Sequence, residues 1–147
     1  MADDLSLAMR TASVLVVYRL DHPISEVLGD LSSTVAVSIV VDNSEDGHAD
    51  LPALTARHGA TLLKAGNRGG LAGAYNLALA HLRQVQGLTI DFVVFVDDDS
   101  YTKTLRPFLS DPSVRDRLSR DDTAAVAPAY RDRATGLRGK YIELRRF

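Results

Sequence analysis

The chain has no cysteine, which excludes disulfides, thiolate chemistry and thiol-ligated zinc and suits a reducing compartment. It also lacks long apolar runs. No stretch approaches the ~18 apolar residues of a membrane span, so no transmembrane segment is expected. Neither sign of charge prevails, the formal net charge being −2, and without a basic excess there is no electrostatic case for nucleic acid. The acidic start, Met1-Ala2-Asp3-Asp4-Leu5-Ser6, lacks the basic end and apolar centre of a secretory signal. A cytoplasmic location follows as the expectation. Internal repeats and low-complexity segments are absent as well.

What is present fits one domain, since 147 residues can bury a sizeable core. Its most informative stretch runs from Asp91 to Ser100, where the chain's most apolar short run meets its densest cluster of carboxylates. Phe92 to Val96, β-branched or aromatic throughout, predicts a strand buried on both faces. Asp97, Asp98 and Asp99 follow at once. In an extended turn, alternate side chains share a side, so Asp97 and Asp99 face one ligand while Asp98 points elsewhere. Such a pair suits Mg²⁺ or Mn²⁺, which proteins hold by one or two carboxylates with phosphates and waters completing the shell. The alternative is a solvated turn in which Asp99 or Ser100 caps the next helix.

Taken in order, residues 1 to 12 read as a leader and Ser13–Tyr18 as a first buried strand. Asp21-His22-Pro23 starts a helix carrying Ile24, Val27, Leu28 and Leu31 at helical spacing. Val35–Val41 is a second strand, ending in the turn-rich loop Asp42 to Gly47. A short helix over Leu51–His58, closed by Gly59, leads to a third strand, Thr61–Lys64. Gly66-Asn67-Arg68-Gly69-Gly70 then runs into an amphipathic helix with Leu71, Tyr75, Ala78, Leu82 and Val85 on one face. After the Phe92–Val96 strand come a helix around Leu105–Leu118, interrupted by Pro107 and Pro112, and a fifth strand, Thr123–Ala127. The arginine-rich remainder, 128–147, holds a further strand at Tyr141–Leu144.

This alternation predicts an α/β fold with a mostly parallel, doubly wound sheet, order 3-2-1-4 at its centre, flanked by helices. Ligands of such sheets bind beyond the strands' carboxyl ends, where strand order reverses. The polar segments fall there: Tyr18-Arg19, Asp42-Asn43-Ser44, Asn67 to Gly70, and Asp97 to Ser100. Tyr18 is expected beside Asp97. Asp42 either accepts hydrogen bonds from a base or ribose, or ties an Asx-turn. Gly69-Gly70 either lets the backbone approach a diphosphate at a helix N-terminus or makes a tight turn. Neither the G-x-x-x-x-G-K-[ST] phosphate loop nor the G-x-G-x-x-G fingerprint is present. His22, His48, His58 and His81 form no metal-spaced pair and read as surface or packing residues. Leu71 and Tyr75 read as parts of a buried helix stripe, and the arginines from Arg131 to Arg146 as a solvated face.

Four segments in order, Val-Val-Tyr at 16–18, Val-Val-Asp-Asn-Ser at 40–44, Asn-Arg-Gly-Gly-Leu-Ala-Gly-Ala-Tyr-Asn at 67–76 and Val-Phe-Val-Asp-Asp-Asp-Ser at 94–100, resemble the nucleotide-sugar-binding half of inverting family 2 glycosyltransferases. The glycine stretch looks most like bacterial rhamnosyltransferases and galactofuranosyltransferases. The resemblance covers residues 13 to 100. It implies a Rossmann-like GT-A domain over 13–127, followed by the start of an acceptor-side segment over 128–147. It also implies that Tyr18 and Asp42 lie against the nucleoside, that Asn67, Arg68, Gly69 and Gly70 border the sugar-diphosphate, and that Asp97, Asp98 and Asp99 form the D-x-D region, with Asp97 and Asp99 on Mg²⁺ or Mn²⁺. The implied donor is a dTDP- or UDP-linked sugar. The acceptor would be a saccharide or lipid-linked molecule in bacterial surface polysaccharide synthesis, at the inner face of the membrane.

Two positions depart from the family. Arg19 stands where these enzymes commonly carry asparagine. The family's general base lies well downstream of D-x-D, whereas Glu143 is the only carboxylate in the last fifteen residues and no family motif surrounds it. The expectation is therefore a donor-binding fragment whose cut edge favours a homodimer. The rivals are a non-catalytic nucleotide-sugar-binding module and a metal-dependent phosphohydrolase or nucleotidyltransferase. A haloacid-type hydrolase would need an aspartate where Tyr18 and Arg19 stand.

Overall fold

The structure is a computed structural model that describes residues 7–21, 23–120 and 126. The chain separates into two compact units, residues 1–110 and 111–147. The first is an α/β unit with strands β1 (Thr11–Val17), β2 (Val37–Asp42), β3 (Thr61–Lys64) and β4 (Phe92–Asp97). Its helices are α1 (Ser25–Thr34), α2 (Leu51–Arg57), α3 (Gly70–Leu82) and α4 (Leu105–Ser110). The four strands are all parallel, in the expected order β3-β2-β1-β4.

The period of two along each strand sorts the core into two layers. Ala12, Val14 and Val16 of β1, Ile39 and Val41 of β2 and Val93 of β4 pack with Ala74, Ala78 and Leu82 of α3. Leu15 and Val17, Val40, and Val94 and Val96 face the other way, against Leu28 and Leu31 of α1 and Leu51 of α2. The chain steps from β1 through β2 to β3 with α1 and α2 on one face. It then returns past β1 to β4 with α3 on the other. Right-handed crossovers require that change of face. It puts the reversal of strand order between β1 and β4.

Several boundaries differ from the sequence reading. Residues 7–12 of the expected leader belong to the fold: Leu7–Arg10 forms a 3-10 turn, and Thr11 and Ala12 already pair with Phe92 and Val93 of β4. Leu7 is buried, its carbonyl accepts the Thr11 hydroxyl at 2.7 Å, and Arg10 forms an ion pair with Asp91. The first helix starts at Ser25, after buried Ile24, so Pro23 precedes it instead of opening it.

β4 is not buried on both faces. It is the last strand of the sheet among the described residues, α3 covers mainly β1 and β2, and Phe95 remains 46% exposed. The expected helix over Leu105–Leu118 is two. α4 ends at Ser110, the division between units falls after that residue, and α5 (Pro112–Leu118) begins anew with Asp111 accepting the Ser113 N–H at 2.8 Å. The cause is Pro112, which cannot donate a helical hydrogen bond and is at ease in a first turn. The strand expected at Thr123–Ala127, the 128–147 segment with Tyr141–Leu144, and the arginines from Arg131 lie outside the described residues, residue 126 excepted.

Among the described residues no helix is long and apolar enough to cross a membrane.

Candidate functional site

Strand alternation decides which polar residues meet. Tyr18 continues the parity of Val14 and Val16, Asn43 that of Ile39 and Val41, and Asp97 that of Val93 and Phe95. All three therefore emerge on the α3 side at the carboxyl ends of their strands. There they line a cleft of about 660 Å³ with Val16, Asn67, Leu71, Asp98 and Asp99. The cleft lies at the reversal of strand order, where ligands of open α/β sheets bind. Register brings Val16 opposite Asp97, so Tyr18 stands next to the acidic turn as expected.

The acidic turn is closed by its own backbone. The Ser100 N–H donates to the Asp97 carbonyl at 3.0 Å, and the Asp97 N–H donates to the Ser100 hydroxyl at 3.2 Å. The next helix begins only at Leu105, so neither Asp99 nor Ser100 caps it. Neither the Asp97 nor the Asp99 carboxylate accepts a hydrogen bond from a described residue. Asp98 lines the same cleft instead of pointing elsewhere, because Asp98 and Asp99 sit in the turn and no longer alternate as a strand does.

Among the described residues no three His, Asp or Glu side chains come together as a metal cage. Any cation here would take two protein carboxylates, Asp97 and Asp99, and the rest of its shell from ligand and water. That donor set suits Mg²⁺ or Mn²⁺ in company with a phosphate.

Opposite the aspartates, Asn43 is only 4% exposed, and its Oδ1 has no hydrogen-bond partner among the described residues. An unpaired buried amide oxygen costs about 1–3 kcal/mol, a penalty that a ligand N–H or O–H would remove. Tyr18 beside it is 46% exposed, with the Arg19 guanidinium 5.9 Å from its ring centroid.

Asp42, one residue earlier, has the opposite parity and does not line the cleft. It is 1% exposed and ties its own loop. Its carboxylate accepts the Ser44 hydroxyl at 2.6 Å, the Ser44 N–H at 3.1 Å and the His48 N–H at 2.9 Å. Burial alone would raise its pKa, but the hydrogen bonds from Ser44 and His48 outweigh it and hold the carboxyl below its usual range. These hydrogen bonds make Asp42 a loop tie. The His48 ring reaches the Tyr18 carbonyl at 3.3 Å, linking this loop to the end of β1.

The loop before α3 turns by left-handed backbone at Gly66, Asn67, Gly69 and Gly70. Asn67, at φ 55°, is the one described non-glycine residue with positive φ, a conformation asparagine tolerates. Asn67 reaches the cleft, whereas Arg68, Gly69 and Gly70 shape the loop without lining it. Gly73, which the sequence did not single out, closes the arrangement. A Cβ there would lie 2.0 Å from the Arg68 carbonyl oxygen, so the loop can fold back on α3 only over a bare Cα. Gly73→Ala is expected to displace this loop and cost about 1–3 kcal/mol, as overpacking against an unyielding group does, measured by denaturant unfolding.

Leu71 departs from the buried stripe expected of it, whereas Tyr75 packs against the core layer of Ala74, Ala78 and Leu82. Leu71 is 49% exposed and lines the cleft. Tyr75 is half-buried, its ring centroid 4.5 Å from that of Phe95, and burial, with the Asp97 charge second, pushes its phenol pKa up. The structure thus gathers Tyr18, Asn67, Asp97, Asp98 and Asp99 from the sequence-derived candidates and adds Asn43 and Leu71. Comparison of the chain with protein-family models, with curated proteins and with solved structures finds no match.

Proposed function

We propose that the cleft binds the nucleoside diphosphate of an activated sugar together with Mg²⁺ or Mn²⁺, as the donor-binding part of an inverting glycosyl transfer to a saccharide or lipid-linked acceptor. One observation carries the reading. Two carboxylates without hydrogen-bond partners, Asp97 and Asp99, share a cleft at the sheet's switch point with an unpaired buried amide, Asn43, and an exposed aromatic ring, Tyr18. A nucleotide-metal complex answers each of these. Its phosphates complete the cation's shell, its base stacks on Tyr18, and a base or sugar donor satisfies Asn43.

In the transfer, an acceptor hydroxyl oxygen forms a bond to the sugar's anomeric carbon, its proton passing to a general base, as the bond from that carbon to the diphosphate breaks. The electron pair leaves with the diphosphate. A divalent cation, when bound, stabilises that charge as a Lewis acid. Of this chain's residues, Asp97 and Asp99 would hold the cation beside the diphosphate, and Leu71 forms one apolar wall of the donor cleft. None of them is assigned to deprotonate the acceptor.

Calorimetric titration with UDP and dTDP, each with and without Mn²⁺ and with ADP as control, tests the proposal. Binding of a pyrimidine nucleotide that requires the metal is the expected result. Metal-independent or undetectable binding of every nucleotide would overturn it. Binding of an intact sugar nucleotide without transfer or hydrolysis would identify a binding module instead of a transferase.

A further inference from the structure

The strand that delivers Asp97 to the cleft also carries Phe95 on the same face, two residues earlier. Tyr75 packs on Phe95 with ring centroids 4.5 Å apart and planes inclined by 53°. Tyr75 lies one helical turn after Leu71, which lines the cleft. Its hydroxyl has no hydrogen-bond partner among the described residues, and neither has the Asp97 carboxylate. A donor without an acceptor and an acceptor without a donor thus lie near the same strand end, Phe95 touching the ring of one and standing two residues before the other on the same face.

We propose that Tyr75 is a positioning residue for Asp97: held by its stack on Phe95, it donates its hydroxyl to the outer carboxylate oxygen of Asp97 when the inner one takes a cation. The inference rests on the proposed role of Asp97 at a divalent ion. A ligating carboxylate with one oxygen on the metal leaves the other in need of a donor, and such outer partners fix the ligand's orientation. Phe95 explains why a half-buried tyrosine is held there: the ring pair sets where the hydroxyl points.

Two substitutions separate the hydroxyl from the ring. Tyr75→Phe keeps the stack and removes only the oxygen, whereas Phe95→Leu removes the stack and keeps the hydroxyl. Mn²⁺ affinity in the presence of UDP or dTDP and melting temperature are read for each, beside the unaltered chain. Tyr75→Phe is expected to weaken Mn²⁺ binding about tenfold with little change in melting. Phe95→Leu is expected to lower the melting temperature and, by loosening the ring that aims the hydroxyl, to weaken Mn²⁺ binding as well, though by no more than Tyr75→Phe does. Equal Mn²⁺ affinity in Tyr75→Phe and the unaltered chain would overturn the positioning role and leave the cleft's proposed function intact. Absence of Mn²⁺ binding in the unaltered chain would overturn both. A loss of affinity that merely follows the loss of melting temperature across both variants would show a structural role only, and would also overturn it.

Discussion

Asp97→Ala and Asp99→Ala are each expected to weaken metal-dependent nucleotide binding by at least about a hundredfold, since even the outer partners of metal ligands are commonly worth ~10–100-fold. Folding should be almost unaffected. Both side chains are exposed and accept no hydrogen bond from the described residues, and the turn that carries them is closed by backbone and by Ser100. Removing a surface carboxylate among three neighbouring ones also relieves repulsion, so melting temperature should hold or rise slightly. Calorimetry with and without Mn²⁺ alongside thermal unfolding checks both halves. Unchanged Mn²⁺-dependent affinity in both variants would reject the acidic turn as a cation site.

Asp42→Ala is expected to give the opposite pattern, a large loss of stability through a residue that does not reach the cleft. The substitution leaves two backbone N–H groups and one hydroxyl without their acceptor around a position 1% exposed. A loss of about 3 kcal/mol follows from the usual cost of stranding such groups, and with it a melting temperature lower by on the order of 10 °C. The same carboxylate gives stability a defined pH dependence. Its pKa is depressed in the folded state, so its contribution is fully present above the unfolded value near 4 and is lost as pH falls through the folded one. Unfolding followed from neutral pH downward should therefore show a steep acid limb that is shallower in Asp42→Asn. Nucleotide affinity of folded Asp42→Asn should stay close to that of the unaltered chain. A selective loss of affinity would instead place Asp42 at the nucleoside, the role implied by the glycosyltransferase resemblance.

The contrast between Asp42 and Asn43 shows where sequence stops being informative. They adjoin at the end of the same strand, and by residue type alone the acidic Asp42 is the more familiar ligand. The backbone continues extended through Asn43, whose N–H donates to the Val17 carbonyl at 2.8 Å, and alternation sends the two side chains to opposite faces of the sheet. Only the identity of the helix-covered faces tells which side holds the cleft. Parity was legible in the sequence; the face to which it applied was not.

Gly73 and Leu71 make the same point on α3. Helical spacing assigns Leu71 to a buried stripe with Ala78 and Leu82, yet the stripe is buried only where the helix crosses β1 and β2, and its first turn overhangs the cleft. Gly73 looks like an ordinary small helical residue until the Arg68 carbonyl is folded onto it.

By itself the sequence determined the alternation of strands and helices, the four parallel strands in the order 3-2-1-4, and the gathering of the polar segments at their carboxyl ends. These are set by local chemistry: apolar runs of strand length, glycine and proline punctuation, and the handedness of the crossovers. Tertiary structure alone decided that β4 is half open where Phe95 meets Tyr75, that Asp42 serves its own loop, and that Asn43 faces the aspartates with an unpaired oxygen. Those outcomes depend on which surface each face of the sheet finds opposite it, a relation between residues distant in the chain that no local pattern encodes.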